Sequence, residues 1–307
     1  MKNKIVLIVT IVFFLQIQKS RAQDYFYDNT RFSATFMYEG GGSLGIMNCF
    51  TDLGGNKGLG KSFLKDLNFG NAQINGSLYF SVTYKEIFGV RLEGSLGQVK
   101  SYDSILKDSR SSTSGRYERN LSFKSKIGEI ALLGEFYPTT LILNHAHLIL
   151  TPYIIGGVGL FSFNPQTTLN GRTVDLQPLH TEGQGFAEYP DRNPYKLVQL
   201  NIPVGLGFLF EASPNCNIRT EFFYRILGTD YLDDVSKNYI DPALFSKYLS
   251  GSQLDDALQL NDRRSKNDPN YPINPHGGQI RGTPKRNDAY FTFNIKVGYT
   301  FGREKRK

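Results

Sequence analysis

The chain has 307 residues, with 35 Lys and Arg against 28 Asp and Glu and a formal net charge of +7. Four of the bases, Lys2, Lys4, Lys19 and Arg21, lie in the first 22 residues, which leaves 31 basic and 28 acidic side chains in the remainder. This near balance gives little support to nucleic-acid binding. The negative mean hydropathy of −0.32 excludes a helical membrane protein.

The first 22 residues have the pattern of a secretory signal peptide. Lysines precede the apolar run 5–15, and Ser20-Arg-Ala22 supplies a small-residue cleavage site. The run is too short to span a bilayer, and no other stretch approaches the roughly 20 apolar residues of a transmembrane helix. We therefore expect a signal peptide at 1–22, a membrane domain made of strands at 23–302, and a basic periplasmic tail at 303–307.

The clearest predicted strand is the last one, at 288–301. At a period of two residues it has an aromatic and β-branched face and a polar face. The apolar face comprises Phe291, Phe293, Ile295, Val297, Tyr299 and Phe301, and the polar face comprises Tyr290, Thr292, Asn294, Lys296, Gly298 and Thr300. Such a strand suits a wall between lipid and a polar lumen.

Seven further strands are predicted upstream, at 32–48, 73–85, 90–100, 121–137, 148–163, 198–211 and 217–227. Most of them alternate as the last strand does. In the fourth strand the two halves are out of phase, which predicts a β-bulge near Gly128. The pattern of the fifth strand does not determine which of its faces is apolar.

The connections between these strands alternate in length. Long connections at 49–72, 101–120, 164–195 and 230–288 alternate with short ones at 86–89, 138–147 and 212–216. Short periplasmic turns and long extracellular loops are typical of outer-membrane barrels. The sequence thus predicts an all-β fold, an eight-stranded antiparallel transmembrane up-and-down β-barrel with long extracellular loops, located in the cell outer membrane with both termini periplasmic.

The two cysteines are predicted to be free thiols. The strand order places Cys49 at the outer rim and Cys216 in a periplasmic turn. A disulfide requires Cα atoms within about 7 Å of each other. A hydrocarbon layer of about 25 Å lies between the two predicted positions.

Nine charged side chains are predicted to point into the lumen. They are Lys85, Arg91, Glu93, Glu129, Glu135, Arg219, Glu221, Arg225 and Lys296. The interior of a barrel of about eight strands is only wide enough for side chains to fill it. Opposite charges there should pair, because an isolated buried charge is very unfavourable. The expected result is a plugged lumen without an open pore.

One glycine-rich stretch matches a nucleotide-binding pattern. Residues Gly55 to Ser62 fit G-x-x-x-x-G-K-[ST], in which backbone amides cradle phosphates between a strand and a helix. Here the stretch follows a secretion signal and lies between two antiparallel strands. We expect a surface loop that binds no nucleotide.

The histidines and the acidic residues give no strong catalytic or metal signal. His145 and His147 supply only two ligands, and a solvated turn is expected. A lipid-modifying Ser and His pair is disfavoured, because His180 and His276 lie within long loops. A group of acidic residues comprises Asp230, Asp233, Asp234 and Asp241. It lacks the spacing of a calcium-binding loop, so helix capping or solvation is expected. Helix-like spacing at 242–260 predicts a partly helical segment, followed by an irregular stretch at 261–287.

Several segments together resemble a known family. The glycine-rich first strand runs into Asn48-Cys-Phe-Thr-Asp-Leu-Gly-Gly55, the fifth strand contains Pro152-Tyr-Ile-Ile-Gly-Gly157, and the chain closes on Gly298-Tyr-Thr-Phe301. These features resemble the small outer-membrane β-barrels of Bacteroidota and are most similar to the PorG-like group. The resemblance implies a non-enzymatic docking or anchoring component of type IX protein secretion, with periplasmic secretion-ring lipoproteins as partners and no cofactor.

The end of the last strand also resembles a biogenesis signal. Gly298, Tyr299 and Phe301 occupy the positions read by the barrel-assembly machinery in its client proteins. Outer-membrane lipid and that machinery are therefore expected partners. Two alternatives to docking remain open: a surface-exposed barrel whose long loops bind an external ligand or surface, as adhesins do, and a narrow transporter for small or apolar solutes.

Overall fold

The computed structural model describes residues 32–33, 35–54, 69–106, 116–142, 150–266, 270, 274–284, 286–302 and 304–305. The predicted signal peptide, the glycine-rich motif at 55–62, and His145 and His147 lie outside the described residues. In the predicted tail, Glu304–Lys305 pairs antiparallel with Phe32–Ser33 in a two-residue ladder.

Eight long strands form the wall. They are β1 Phe36–Phe50, β2 Gln73–Tyr84, β3 Phe88–Tyr102, β4 Ser122–Phe136, β5 Leu150–Ser162, β6 Val198–Ser213, β7 Cys216–Leu227 and β8 Ala289–Phe301. Each strand pairs antiparallel with its neighbours in sequence. The last strand also pairs with the first, from Ala289 opposite Phe50 to Phe301 opposite Tyr38. The fold is a closed eight-stranded antiparallel up-and-down barrel, as predicted.

The connections divide the barrel into two different ends. The turns 85–87, 137–149 and 214–215 lie at the turn end, and the loops 51–72, 103–121, 163–197 and 228–288 lie at the loop end. Short helices occur in these connections: α1 Arg116–Arg119, α2 Pro138–Ile142, α3 Phe245–Tyr248 and α4 Gly251–Asn261. A loop hairpin joins Pro165–Leu169 to Arg172–Asp175, and 3-10 helices span Phe69–Asn71, Gln177–Leu179, Pro242–Leu244 and Arg264–Lys266. The predicted helical segment near 242–260 is confirmed.

The two faces of the wall differ in polarity. On β8, Ile295 is 55% exposed, whereas the alternating Asn294 and Lys296 are 1% and 0% exposed. The predicted facing of this strand is confirmed except at Phe291, which is buried under the rings of Phe50 and Phe222. An apolar band surrounds the barrel and includes Leu44, Ile74, Leu78, Leu92, Ile130, Leu132, Val158, Leu200, Leu206, Ile295 and Val297. Within the described residues, no helix is long and apolar enough to cross a membrane.

The bulge predicted near Gly128 is wrong. The register between β3 and β4 is unbroken from Phe88 opposite Phe136 to Tyr102 opposite Ser122. Phe123 and Ile127 are buried and point inward, on the same face as Glu129. The interior is apolar at the loop end and polar towards the turn end. The inward-facing residues of β4 therefore change from apolar to polar along the strand, although the backbone alternation is unbroken.

The two cysteines are free thiols, as predicted. Cys49 lies opposite Tyr290 and Cys216 lies opposite Tyr299, so their partners are nine residues apart along β8. At about 3.3 Å per residue, this separation is about 30 Å along the strand.

Candidate functional site

The middle of the lumen contains a cluster of alternating charges. Arg91 Nη1 lies 2.6 Å from Glu221 Oε1 and 3.3 Å from Glu93 Oε2, and its other terminal nitrogen contacts Glu135. Lys296 Nζ lies 2.5 Å from Glu93 Oε2 and 3.1 Å from Glu221 Oε2. Each carboxylate thus contacts at least one cation. This mutual pairing offsets the cost of removing the charges from water.

A second cluster lies nearer the turn end. Arg219 Nε and Nη2 contact the two oxygens of Glu39 at 2.7 and 2.9 Å, a bidentate geometry. The same guanidinium donates to the Tyr137 hydroxyl at 2.7 Å, and Tyr79 donates to Glu39 at 2.5 Å. A Cβ at Gly298 would lie 2.4 Å from the Tyr79 hydroxyl and 2.5 Å from Glu39 Oε1. Glycine is therefore needed at position 298 for this cluster to fit.

A third cluster lies towards the loop end. Arg225 Nε lies 3.0 Å from Glu129 Oε2, and its Nη1 donates to Thr292 Oγ1 at 2.6 Å. Asn201 Nδ2 donates to Glu129 Oε1 at 2.8 Å and lies 3.2 Å from the Tyr290 hydroxyl. Tyr290 belongs to the apolar core above, so this cluster marks the boundary between the polar and the apolar parts of the interior.

The structure brings eight of the nine predicted lumen charges together inside the barrel, and the prediction for Lys85 is wrong. Lys85 is exposed in the turn between β2 and β3, where Lys85 and Glu86 have φ angles of 49° and 58°. Two successive residues with positive φ form a tight hairpin turn, so the side chain of Lys85 leaves the alternation of the strand and contacts the Tyr84 ring from outside.

The predicted set of lumen residues omits Glu39, Tyr137 and Tyr153. It also omits Tyr79, although the alternation at 73–85 places Tyr79 on the polar face. Glu39 stands next to the glycines of β1, which have no side chains to reveal the facing of the strand. The register opposite β2 could have found it, because Glu39 lies opposite the inward Ser81. Tyr153 donates to Glu221, and a Cβ at Gly207 would lie 2.3 Å from its ring. A small residue across from a large aromatic is the signal that could have placed Tyr153 inside.

The described lumen is filled rather than open. Four cations (Arg91, Arg219, Arg225 and Lys296) contact five carboxylates (Glu39, Glu93, Glu129, Glu135 and Glu221), and all nine side chains are buried. A network of this kind holds its members in fixed positions, because displacing one charge leaves its partners uncompensated in a low dielectric. The arrangement is suited to a rigid plug.

Above this network, the interior and the loops share one apolar core. Met47, Val99, Phe123 and Phe161 point inward from β1, β3, β4 and β5. They belong to the same buried cluster as loop residues, which are Leu53, Leu121, Phe163, Leu169, Val174, Leu176, Leu179, Phe186, Tyr195, Leu232, Val235, Ile240, Phe245, Ala257 and Leu260. The described parts of the four long loops therefore form one body, here called the cap, that is continuous with the barrel interior.

Arg119 connects three loops of the cap. Its Nε donates to Asp103 Oδ2 at 2.8 Å within its own loop. Its Nη2 donates to the Asp52 carbonyl at 2.6 Å, and its Nη1 donates to the Arg281 carbonyl at 2.7 Å. The guanidinium thus joins the loop that follows β1 to the loop that precedes β8.

A second set of contacts joins the third and fourth loops. Arg281 Nη1 lies 3.0 Å from Glu182 Oε1, and Glu182 accepts from the backbone amides of Ser236 and Lys237 at 3.0 and 2.9 Å. Asp234 accepts from Thr181 at 2.5 Å and from the Tyr195 hydroxyl at 2.7 Å. These charged hydrogen bonds, each stronger than a neutral one, fix the relative positions of the two longest loops.

The acidic group of the fourth loop is largely buried, so the expectation of solvation is wrong. Asp233 and Asp234 are both 0% exposed, and only Asp241 has the predicted capping role, accepting from the Ala243 amide at 2.9 Å. Burial raises the pKa of Asp230 to about 8 and that of Asp234 to about 6. Burial also raises the pKa values of Asp233 and Asp288 well above the usual range. The nearby charge of Asp52 adds to the shift of Asp233, and the charge of Asp233 adds to that of Asp288.

These shifts predict that the cap becomes less stable as the pH rises. A carboxyl with a raised folded pKa contributes stability that is complete below its unfolded pKa of about 3.9 and is lost as the pH rises through the folded value. For Asp234 and Asp230 those folded values are about 6 and about 8. Hydrogen exchange in the loop 228–288, corrected for the intrinsic rate, should therefore be faster at pH 8 than at pH 5.

Replacing Asp230 with asparagine removes one titrating group. Asp230→Asn should therefore make the corrected exchange rate less dependent on pH, by at most about tenfold per pH unit. Asp255→Asn, at an exposed position of α4, is the matched control and should leave the dependence unchanged. Protection that is equal at the two pH values would contradict the assignment of neutral carboxyls to the cap.

The turn end carries aromatic side chains and the predicted assembly signal. Tyr299 is 62% exposed on the outer face, and Phe301 stacks on Tyr38 with ring centroids 5.6 Å apart. Phe36 and Tyr84 form a further ring pair at the same end. Their use as a recognition signal by the assembly machinery stays a prediction.

The two described histidines lie in the cap. His180 has a φ of 50° and lies beside the ring of Phe186, and burial lowers the pKa of His180. His276 is exposed, with Nδ1 3.2 Å from Asp241 Oδ2. Among the described residues, no group of three His, Cys, Asp or Glu side chains is arranged to hold a metal ion.

Several solved structures of outer-membrane proteins are similar to this chain at low identity. The attachment invasion locus protein Ail of Yersinia pestis is 10% identical, covering 87% of this chain and 99% of its own, with a TM-score of 0.36. Neisserial surface protein A is 9% identical, covering 88% and 99%, with a TM-score of 0.36. OprG from Pseudomonas aeruginosa is 12% identical, covering 88% and 97%, with a TM-score of 0.36.

None of the curated proteins compared with this chain matches it. Residues 91–179 match a family described as Domain of unknown function (DUF6089). The match begins in β3 and ends in the third loop, and it covers less than a third of the chain.

Proposed function

We propose that the chain is an integral outer-membrane barrel, with both termini periplasmic, that serves as a non-enzymatic docking component and not as a pore. The observation that carries this proposal is the inversion of the wall: apolar side chains such as Leu78, at 75% exposure, point outward, while charged ones such as Arg91, at 0%, point inward. Soluble proteins rarely expose apolar patches larger than a few hundred Å². An outward apolar band with a polar interior is the arrangement of a barrel in lipid.

The plugged lumen supports a scaffold over a transporter. A solute path would have to cross the contacts of Arg91 with Glu93, Glu135 and Glu221, and those of Arg219 with Glu39. The apolar core of the cap then covers the same lumen at the loop end. The protein would therefore act through its surfaces.

The docking surface that we favour lies at the turn end. In α2, Leu141 and Ile142 are 54% and 74% exposed, outside the apolar band of the strands. Exposed apolar side chains on a short helix suit contact with another protein. Following the resemblance to PorG-like barrels, the proposed partners are periplasmic secretion-ring lipoproteins of a type IX system.

The second candidate is binding of an external ligand or surface by the cap. It is favoured by the contacts of Arg119, Arg281 and Glu182, which join the described parts of the four loops into one body. A rigid surface loses less entropy on binding than separate flexible loops do.

Affinity purification from detergent-solubilised membranes distinguishes the two candidates. The unaltered protein should recover ring lipoproteins, and Leu141→Asp combined with Ile142→Asp should reduce recovery about tenfold, the effect of losing about 1.4 kcal/mol of contact energy. The matched control is Leu258→Asp, at an exposed position of α4 in the cap. Equal recovery by the two variants would refute docking at the turn end, and loss of surface binding in the cap variant alone would favour the second candidate.

A further inference from the structure

The outward face of β3 and β4 becomes basic just beyond the apolar band. Leu96 and Ile130 are the last strongly exposed apolar side chains of the two strands towards the loop end, at 74% and 64%. Lys100 and Lys126 each lie four residues further along the same outward face. These residues and Lys124 are here called the lysine surface.

The lysine surface concentrates positive charge. Lys100 lies directly opposite Lys124 in the register, and Lys126 lies directly opposite Gln98. Like charges directly opposite each other on one face of a sheet are destabilising. The pair is therefore expected to be relieved by an anion bound between the two ammonium groups.

No ion pair compensates these three lysines within the described part of the chain. The Lys124 ammonium donates to the Thr173 hydroxyl at 3.3 Å, a neutral partner. In the same row, Gln166 lies opposite Lys124 and Asp175 lies opposite Gln166. The Asp175 carboxylate accepts from the Gln166 side chain at 2.7 Å, so it is the nearest acid along this row but is already bound by a neutral amide.

The position of the surface matches the level of lipid headgroups. Four residues of strand correspond to about 13 Å along the strand, and less along the membrane normal because strands tilt by about 35–45°. A lysine stem also reaches along apolar surface while its ammonium stays in the polar layer. The ammonium groups would thus lie in the headgroup layer, on the side of the wall that contacts lipid.

We propose that Lys100, Lys124 and Lys126 bind the phosphate group of an outer-leaflet lipid. This inference rests on the proposed function, since it requires the apolar band to lie in a membrane. The lysine surface continues the lipid-facing side of the wall, so the phosphate is part of a lipid headgroup and not a free ion. Lysine ammoniums are suitable donors for phosphate, and each contributes to binding as a point charge.

Native mass spectrometry of the detergent-purified barrel tests the site with diphosphorylated lipid A as the probe. At about 1 kcal/mol per lysine, the triple variant Lys100→Gln, Lys124→Gln and Lys126→Gln should bind this lipid about 100-fold more weakly than the unaltered protein. The matched control changes three exposed lysines of the loop end, Lys196→Gln, Lys247→Gln and Lys266→Gln, and should retain the lipid.

Two further ligands distinguish the possible sources of phosphate. Dephosphorylated lipid A should bind the unaltered protein and the triple variant equally, and inorganic phosphate should not displace the diphosphorylated lipid. Equal retention of diphosphorylated lipid A by the triple variant and the unaltered protein would overturn the site. Displacement by inorganic phosphate would overturn its assignment to a lipid.

Semi-native electrophoresis of every sample separates failure of this site from failure of the proposed function. If the triple variant migrates faster before heating than after it and still retains diphosphorylated lipid A, only the lipid site is overturned. A protein that migrates identically before and after heating, and stays soluble without detergent, overturns the membrane barrel and the lipid site together.

Discussion

Replacing Arg91 with methionine is expected to lower the free energy of unfolding by about 3–5 kcal/mol, because a buried ion pair that loses one partner leaves an uncompensated charge. Arg91 contacts three carboxylates, those of Glu93, Glu135 and Glu221. In Arg91→Met, the cation that remains in contact with Glu135 would be Arg219, at the longer distance of 3.5 Å. Urea titration of the barrel folded in lipid vesicles measures the change.

Lys85→Met is the matched control for this substitution. Lys85 is exposed in the turn, so its replacement should change stability by no more than about 0.5 kcal/mol. Adding Glu135→Gln to Arg91→Met removes one carboxylate that has lost its closest cation and should restore part of the lost stability. If Arg91→Met and Lys85→Met had equal effects, the lumen would be hydrated and the plug would not exist. Large, stable conductance of the unaltered protein in planar bilayers would contradict the plug independently.

The second large effect is expected on the outer face. Leu132 is 54% exposed at the middle of the apolar band, between Leu92 of β3 and Val158 of β5. Leu132→Arg should destabilise the barrel in vesicles by about 2–4 kcal/mol, because the guanidinium would be held near the midplane of the bilayer.

The control for this prediction is Leu258→Arg. Leu258 is 45% exposed on α4 of the cap, where an arginine would meet water. Its effect should stay within about 0.5 kcal/mol in the same titration. If the two arginines were equally tolerated, the band around Leu132 would not contact lipid.

The facing of the side chains could be predicted wherever polar and apolar residues alternate along a strand. In β7, Arg219, Glu221 and Arg225 alternate with Ile218 and Ile226, and the structure has the predicted facing. The rule that apolar residues face outward fails where both faces are apolar. Phe123 and Ile127 of β4 point into the apolar core at the loop end, where the sequence pattern predicts a bulge that the structure does not have.

The cap could be predicted only in outline. Periodicity indicates the short helices of the fourth loop, because amphipathic spacing is a local property. The burial of Asp233 and Asp234 depends on distant partners: Leu53 donates its amide to Asp233 at 3.2 Å, and Tyr195 donates its hydroxyl to Asp234 at 2.7 Å. Contacts between segments so far apart in the chain leave no periodic trace in either segment. Glu39 is a different case, because the glycines that follow it in β1 have no side chains to reveal the facing of that strand, whereas its partner Arg219 lies in a strand that alternates clearly.

The bridging position of Arg119 bears on the order of assembly. The two carbonyls that it holds, those of Asp52 and Arg281, belong to the segments flanking the β1 and β8 seam, where the first and last strands meet. Before β1 and β8 pair, the carbonyls of Asp52 and Arg281 lie at opposite edges of an open sheet. The contacts of Arg119 in the cap can therefore form only when the barrel closes. A nascent chain arrested before β8 would have neither a complete cap nor a closed barrel.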